Sequence, residues 1–80
     1  MPKLRTLSGQ DVIKIFYSFD FANDGQKGSH IKLARTINNK KESLTIPLHQ
    51  EIDKGTLKAI IRQASRFVPE EKITEHFYTK

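Results

Sequence analysis

The chain has 80 residues, 36% of them hydrophobic, with no cysteine and a formal charge of +5. That size fits one small domain over residues 1–80, which buries only roughly 60% of its unfolded surface, and it excludes a large enzyme with a deep pocket. The missing cysteines exclude a disulfide framework and a thiolate metal site, and no apolar run approaches the roughly 20 residues of a membrane span. The opening Met1-Pro2-Lys3-Leu4-Arg5 lacks the apolar stretch of a secretion signal, so the expected location is the cytoplasm.

The first helix is announced by Ser8-Gly9-Gln10-Asp11, which reads as a capping box with Ser8 as N-cap and Asp11 near the positive helix end. Val12, Ile15, Phe16 and Phe19 follow at helical spacing and make one apolar stripe. Asp20 tolerates the left-handed backbone of a helix exit. Phe21 to Lys27 reads as a weak strand, interrupted by Asn23-Asp24-Gly25, and Gly28-Ser29 supplies a hairpin turn. His30 to Ile37 is a stronger strand, with Ile31, Leu33 and Ile37 on one face and His30, Lys32, Ala34 and Thr36 on the other. Asn38-Asn39 marks a second turn, because asparagine accepts positive φ. Lys41 to Leu48 alternates again, with Leu44, Ile46 and Leu48 opposite Ser43 and Thr45.

A second helix is expected after Asp53, a suitable N-cap, with Leu57, Ile60, Ile61 and Ala64 at helical spacing. A short third helix is expected from Pro69, placed at its first position, with Glu70 and Glu71 in the first turn and Ile73 and Phe77 to dock it. The order makes an α+β fold of αβββα type: a three-stranded antiparallel sheet with two helices on its oily face and a helical tail. The polar face, carrying His30, Lys32, Ser43 and Thr45, is left open. Double-stranded-RNA-binding domains share this order, although fold alone does not fix function.

Charge adds a direction. The pI is near 9.7, and a basic domain of this size points to a polyanionic partner, most simply nucleic acid, or to a merely well-solvated surface. Residues 1–40 hold seven Lys/Arg against three acids, whereas residues 41–80 hold seven against six. Lys54, Lys58, Arg62 and Arg66 recur every four residues and share much of one helix face. They form either a ridge that contacts phosphates or an ordinary solvated face.

Of the three histidines, His30 has the surroundings that suit phosphodiester chemistry. Gly28 leaves room for a phosphate, Ser29 offers a hydroxyl, and Lys27 and Lys32 offer charge. An imidazole both takes and gives a proton near neutral pH. His49 precedes a helix and is a second proton-transfer group or a packing residue. His76 lies in the acidic tail and is expected to be exposed. The histidine spacings do not suggest a zinc site.

Three segments in order, Lys27-Gly28-Ser29-His30, Ile46-Pro47-Leu48-His49, and Lys54-Gly55-Thr56-Leu57-Lys58-Ala59-Ile60-Ile61-Arg62-Gln63-Ala64, together resemble the pattern of HicA-type (YcfA-like) mRNA interferase toxins. Ser8-Gly9 before an amphipathic helix and the aromatic Phe21 agree, and the likeness runs from about Pro2 to Ala64. Asn23-Asp24-Gly25 stands where members usually carry apolar or basic residues, and Ser65 where many carry glycine. The resemblance implies an αβββα fold and the toxin of a type II toxin–antitoxin pair. It further implies mRNA cleavage that stops translation, with His30 as the catalytic residue, and a HicB-type antitoxin that covers it. It implies no cofactor. Lys27, Gly28, Ser29, Lys32, Lys54, Lys58 and Arg62 are the candidate RNA-binding residues, and a non-catalytic RNA-binding module is the alternative.

Overall fold

The computed structural model describes residues 3–79; Met1, Pro2 and Lys80 lie outside the described residues, and with them the first two positions read for a secretion signal. The chain runs α1 (Gly9–Tyr17), β1 (Ala22–Lys27), β2 (His30–Ile37), β3 (Lys40–Pro47), α2 (Lys54–Ala64) and α3 (Glu70–Phe77). The strands form one antiparallel sheet in the order β1-β2-β3. This is the αβββα order with its helical tail.

Local chemistry explains the boundaries. The Ser8 hydroxyl accepts from the Asp11 N–H while the Asp11 carboxylate accepts from the Ser8 N–H, both at 3.0 Å, which completes the capping box. Asp20 leaves α1 at φ 71°, and Asn38 and Asn39 take φ 53° and 66°, the pair of positive angles that a two-residue hairpin of type I′ needs. Asp53 caps α2 by accepting from the Thr56 N–H. Pro69 is the N-cap of α3, one residue before the helix, where its extended backbone ends the preceding turn. Asn23-Asp24-Gly25 is a bulge: Asn23 pairs with Leu33 and Gly25 with Lys32, so Asp24 has no partner in the ladder.

The core is one cluster. Ile31, Leu33, Leu44 and Ile46 from the inner sheet face meet Val12, Ile13 and Phe16 of α1, Leu57, Ile60 and Ala64 of α2, and Ile73 and Phe77 of α3. The apolar stripe of α1 is shifted from its expected position, with Ile13 buried and Ile15 and Phe19 only partly so. The tail closes the core rather than trailing from it, since the Phe77 ring lies 5.8 Å from that of Phe16. The Arg5 N–H donates to the Phe77 carbonyl, and the Thr79 N–H to that of Lys3.

Ile37 departs from its expected core role: it is 41% exposed, at the end of β2 beside the Asn38-Asn39 turn. The inner face there is occupied by Arg35. Its Nε donates to Glu42 at 2.6 Å, and its Nη1 and Nη2 donate to the carbonyls of Phe19 and Phe67, each at 2.7 Å. The guanidinium also sits 4.7 Å from the centre of the Phe21 ring.

Two stability tests follow from these contacts. A Cβ at Gly9 would overlap the Pro47 carbonyl oxygen and crowd Leu48. Gly9→Ala is expected to lower unfolding free energy by about 1–3 kcal/mol in urea titrations, as overpacking does; an unchanged midpoint would mean that the contact relaxes freely. Arg35→Ala strands a carboxylate and two carbonyls, and with only 12% of the arginine side chain exposed the expected loss is roughly 3 kcal/mol. A loss under ~1 kcal/mol would place the arginine in the class of surface ion pairs.

Candidate functional site

The β1–β2 turn builds the site. Gly28 takes φ 60° at its first central position, where a tight hairpin favours glycine. The turn sets Lys27 directly opposite His30, and two residues along Gly25 is opposite Lys32. On the other side His30 pairs with Pro47 and Lys32 with Thr45. Because alternate residues share a face, His30, Lys27, Lys32 and Thr45 stand together on the outer face of the sheet, all exposed.

Backbone bonds draw a second histidine to this end. The Leu48 N–H donates to the Ser29 carbonyl at 2.7 Å, and the Gly9 N–H donates to the His49 carbonyl at 2.9 Å. The segment Pro47-Leu48-His49 is thus tied on one side to the residue before His30 and on the other to the start of α1. The absence of a side chain at Gly9 permits that approach.

His30 stands between two open hollows. One, of about 360 Å³, is lined by Gly25, Gln26, Lys27, His30, Lys32 and Thr45. The other, of about 350 Å³, runs between the end of β3 and α2, where Thr56, Ala59, Ile60 and Gln63 face His30, Thr45, Pro47 and His49. Both histidines therefore line one groove. In the sequence Ile60 stands out only as a core position, and Thr56, Ala59 and Gln63 only within the Lys54–Ala64 segment, although positions 56, 59, 60 and 63 share one side of a helix at about 100° per residue. Ser29 is exposed at the turn and contributes its carbonyl to the Leu48 bond.

The basic ridge is elsewhere. By the same helical angle Lys54 and Lys58 leave α2 roughly opposite the groove-lining residues, with Arg62 at the flank. Lys54 is also engaged: its ammonium donates to the carbonyls of Leu4 at 3.0 Å and Arg5 at 3.2 Å. His76 is half-buried rather than exposed, edge-on to the Phe19 ring with 5.3 Å between ring centres.

On the outer sheet face the bulge brings in an acid. Asp24 bonds Lys41 at 2.9 Å and lies 3.9 Å from Lys32, so Lys32 shares a carboxylate whereas Lys27 forms no ion pair among the described residues. Among the described residues no group of three or more His, Asp or Glu side chains could hold a metal ion, and no helix is long and apolar enough to cross a membrane.

Residues 9–65, more than half of the chain, match the family model described as "HicA toxin of bacterial toxin-antitoxin". No curated protein and no solved structure matches the chain. The matched segment contains both histidines, the two hollows and the bulge, and ends one residue beyond α2.

The Asp24 carboxyl is held below the ordinary aspartate value of 3.8 by its hydrogen bond from Lys41, then by the charges of Lys41 and Lys32. A depressed carboxyl stabilises the fold above its unfolded value, and that contribution is lost as pH falls through the folded value. In an NMR titration Lys41→Ala is expected to raise the Asp24 midpoint toward 3.8; an unmoved midpoint would show that the pair does not form in solution.

Proposed function

The chain belongs to the HicA toxin family of bacterial toxin–antitoxin systems, and from that membership we propose that it is an endoribonuclease that cleaves mRNA with His30 as its acid–base residue. The observation that carries this reading is the position of His30. It is an exposed imidazole between two hollows, with Lys27 and Lys32 in one of them and His49 in the other.

RNA carries its own nucleophile. His30 takes the proton of a 2′-hydroxyl, whose oxygen forms a bond to the adjacent phosphorus. The bond from phosphorus to the 5′-oxygen breaks, leaving a 2′,3′-cyclic phosphate on one fragment and, after protonation of the departing oxygen, a 5′-hydroxyl on the other. General acid–base catalysis of this kind contributes typically ~10²–10⁴-fold. Lys27 and Lys32 hold the phosphate and stabilise the charge that develops on its oxygens, Gly28 leaves the approach open, and the Ser29 hydroxyl donates to a phosphate oxygen. His49, which lines the same groove as His30, is the second proton-transfer residue in this reading, with water as the alternative donor.

Lys58 and Arg62, and Lys54 through its charge although its ammonium is bonded to two backbone carbonyls, add attraction for the RNA backbone without reading sequence. The αβββα order shared with double-stranded-RNA-binding domains suits a substrate laid on a shallow face. In the cell the reading makes the protein a cytoplasmic toxin that halts translation and growth. It is neutralised by a HicB-type antitoxin covering the His30 face.

His30→Ala, an exposed replacement that leaves the core intact, is expected to slow cleavage of a defined RNA by at least ~10²-fold with an unchanged circular dichroism spectrum. DNA of the same sequence, without the 2′-hydroxyl, is expected to stay intact. Equal rates for variant and wild type would remove His30 from the mechanism. Binding without any cleavage by wild type would favour a non-catalytic RNA-binding module.

A further inference from the structure

The two hollows beside His30 differ in chemistry. The sheet-side hollow is lined by two lysines, Lys27 and Lys32. Among the described residues, the α2-side hollow is lined by no lysine, arginine, aspartate or glutamate; Pro47, Ala59 and Ile60 line it together with His30, Thr45, His49, Thr56 and Gln63. Phosphate has no cationic partner among those described residues besides the histidines. Its volume of about 350 Å³ lies at the small end of the roughly 300–1,000 Å³ of ligand pockets.

We propose that this second hollow is a nucleobase subsite, which receives the unstacked base of a nucleotide flanking the phosphate at His30. The inference rests on the reading of His30 as the centre of an RNA-cleaving site. Single-stranded RNA is recognised by splaying bases out, stacking them on planar or apolar side chains and bonding their edges. Here the Pro47 ring and Ala59 give the apolar platform, and the His49 imidazole gives a planar neighbour. Gln63 is exposed at the rim. Its carboxamide carries an acceptor beside two donors, a pair that matches the adjacent donor and acceptor on the edge of any unpaired base. Thr56 is less free to read a base, since its hydroxyl donates to the Asp53 carboxylate at 2.7 Å. The class of ligand is therefore an unpaired base, and Gln63 is the residue that bonds its edge.

The test is binding of wild-type protein to short 2′-O-methyl oligoribonucleotides, which cannot be cut because the nucleophile is blocked. An abasic sugar is moved through every position. At one position loss of the base is expected to weaken binding about tenfold, in the range of base-stacking losses. Ala59→Leu, an exposed helix position, is expected to bring the intact oligomer down to the abasic level. Gln63→Ala is expected to weaken binding of the intact oligomer and to leave binding of the oligomer abasic at that position unchanged. If oligomers bind but abasic sugars are tolerated everywhere, or Ala59→Leu changes nothing, the subsite is wrong while the RNA reading stands. If no oligomer binds at all, the RNA reading fails and the subsite fails with it.

Discussion

The Arg35 guanidinium joins four parts of the chain through one side chain. It bonds Glu42 across the β2–β3 ladder, the Phe19 carbonyl where the chain leaves α1, and the Phe67 carbonyl between α2 and α3, and it covers the Phe21 ring. A cation at that depth is costly to desolvate, and the cost is offset only because its donors on three sides find acceptors. The two carbonyls gain as well: each ends a helical turn, where peptide oxygens lack intrahelical partners and carry partial negative charge. In an 80-residue chain without disulfides, stability is the small remainder of large opposing terms. One side chain that fixes the sheet, the α1 exit and the tail at once therefore constrains the whole arrangement.

Arg35 anchors one end of the sheet, and the candidate site occupies the other. There the fixing is done by main chain. The bond from Leu48 to the Ser29 carbonyl and the bond from Gly9 to the His49 carbonyl place two histidine-bearing segments around a glycine contact. The side chains of His30, Lys27, Lys32 and His49 stay exposed, while the backbone beneath them is held on both sides. That division suits a shallow site for a large substrate: the scaffold is rigid, and the groups facing solvent are set by register and turn geometry rather than by enclosure.

Much of this was legible in residues. The capping box, the left-handed exit at Asp20, the two hairpin turns and the alternation of β2 and β3 are local signals, and local signals specify local backbone. The grouping of Lys27, His30 and Lys32 followed from the turn. What eluded the reading depends on juxtaposition. Arg35 occupies an inward position between Leu33 and Ile37, and the Asn38-Asn39 turn sets it opposite Glu42; the register was available, yet the rule that inward positions are apolar hid it. The α1 stripe was shifted because Ile13 rather than Ile15 meets the sheet, a matter of how the helix is rotated. Thr56, Ala59 and Gln63 form a wall only because β3 ends at Pro47 beside α2. The bulge at Asp24 was foreshadowed by Asn23-Asp24-Gly25, but its ion pair with Lys41 requires the folded sheet.

The distribution of charge bears on how such a surface would handle RNA. Among the described residues only two basic side chains, Lys27 and Lys32, line a hollow beside His30, and Asp24 draws on one of them. The Lys54–Lys58–Arg62 ridge lies around the helix. A uniformly cationic trough would attract RNA strongly, but it would hold a repeating phosphodiester backbone equally well in many registers and in either direction. Such binding is spent as much on unproductive complexes as on the transition state. Unlike hollows on the two sides of one imidazole break that symmetry. On the proposed reading, a strand crossing His30 would set its phosphate on the lysine side and an unstacked base on the uncharged side, so that the sugar between them is presented in one orientation. Distant charge would then serve encounter, and the contrast between the two hollows would serve alignment.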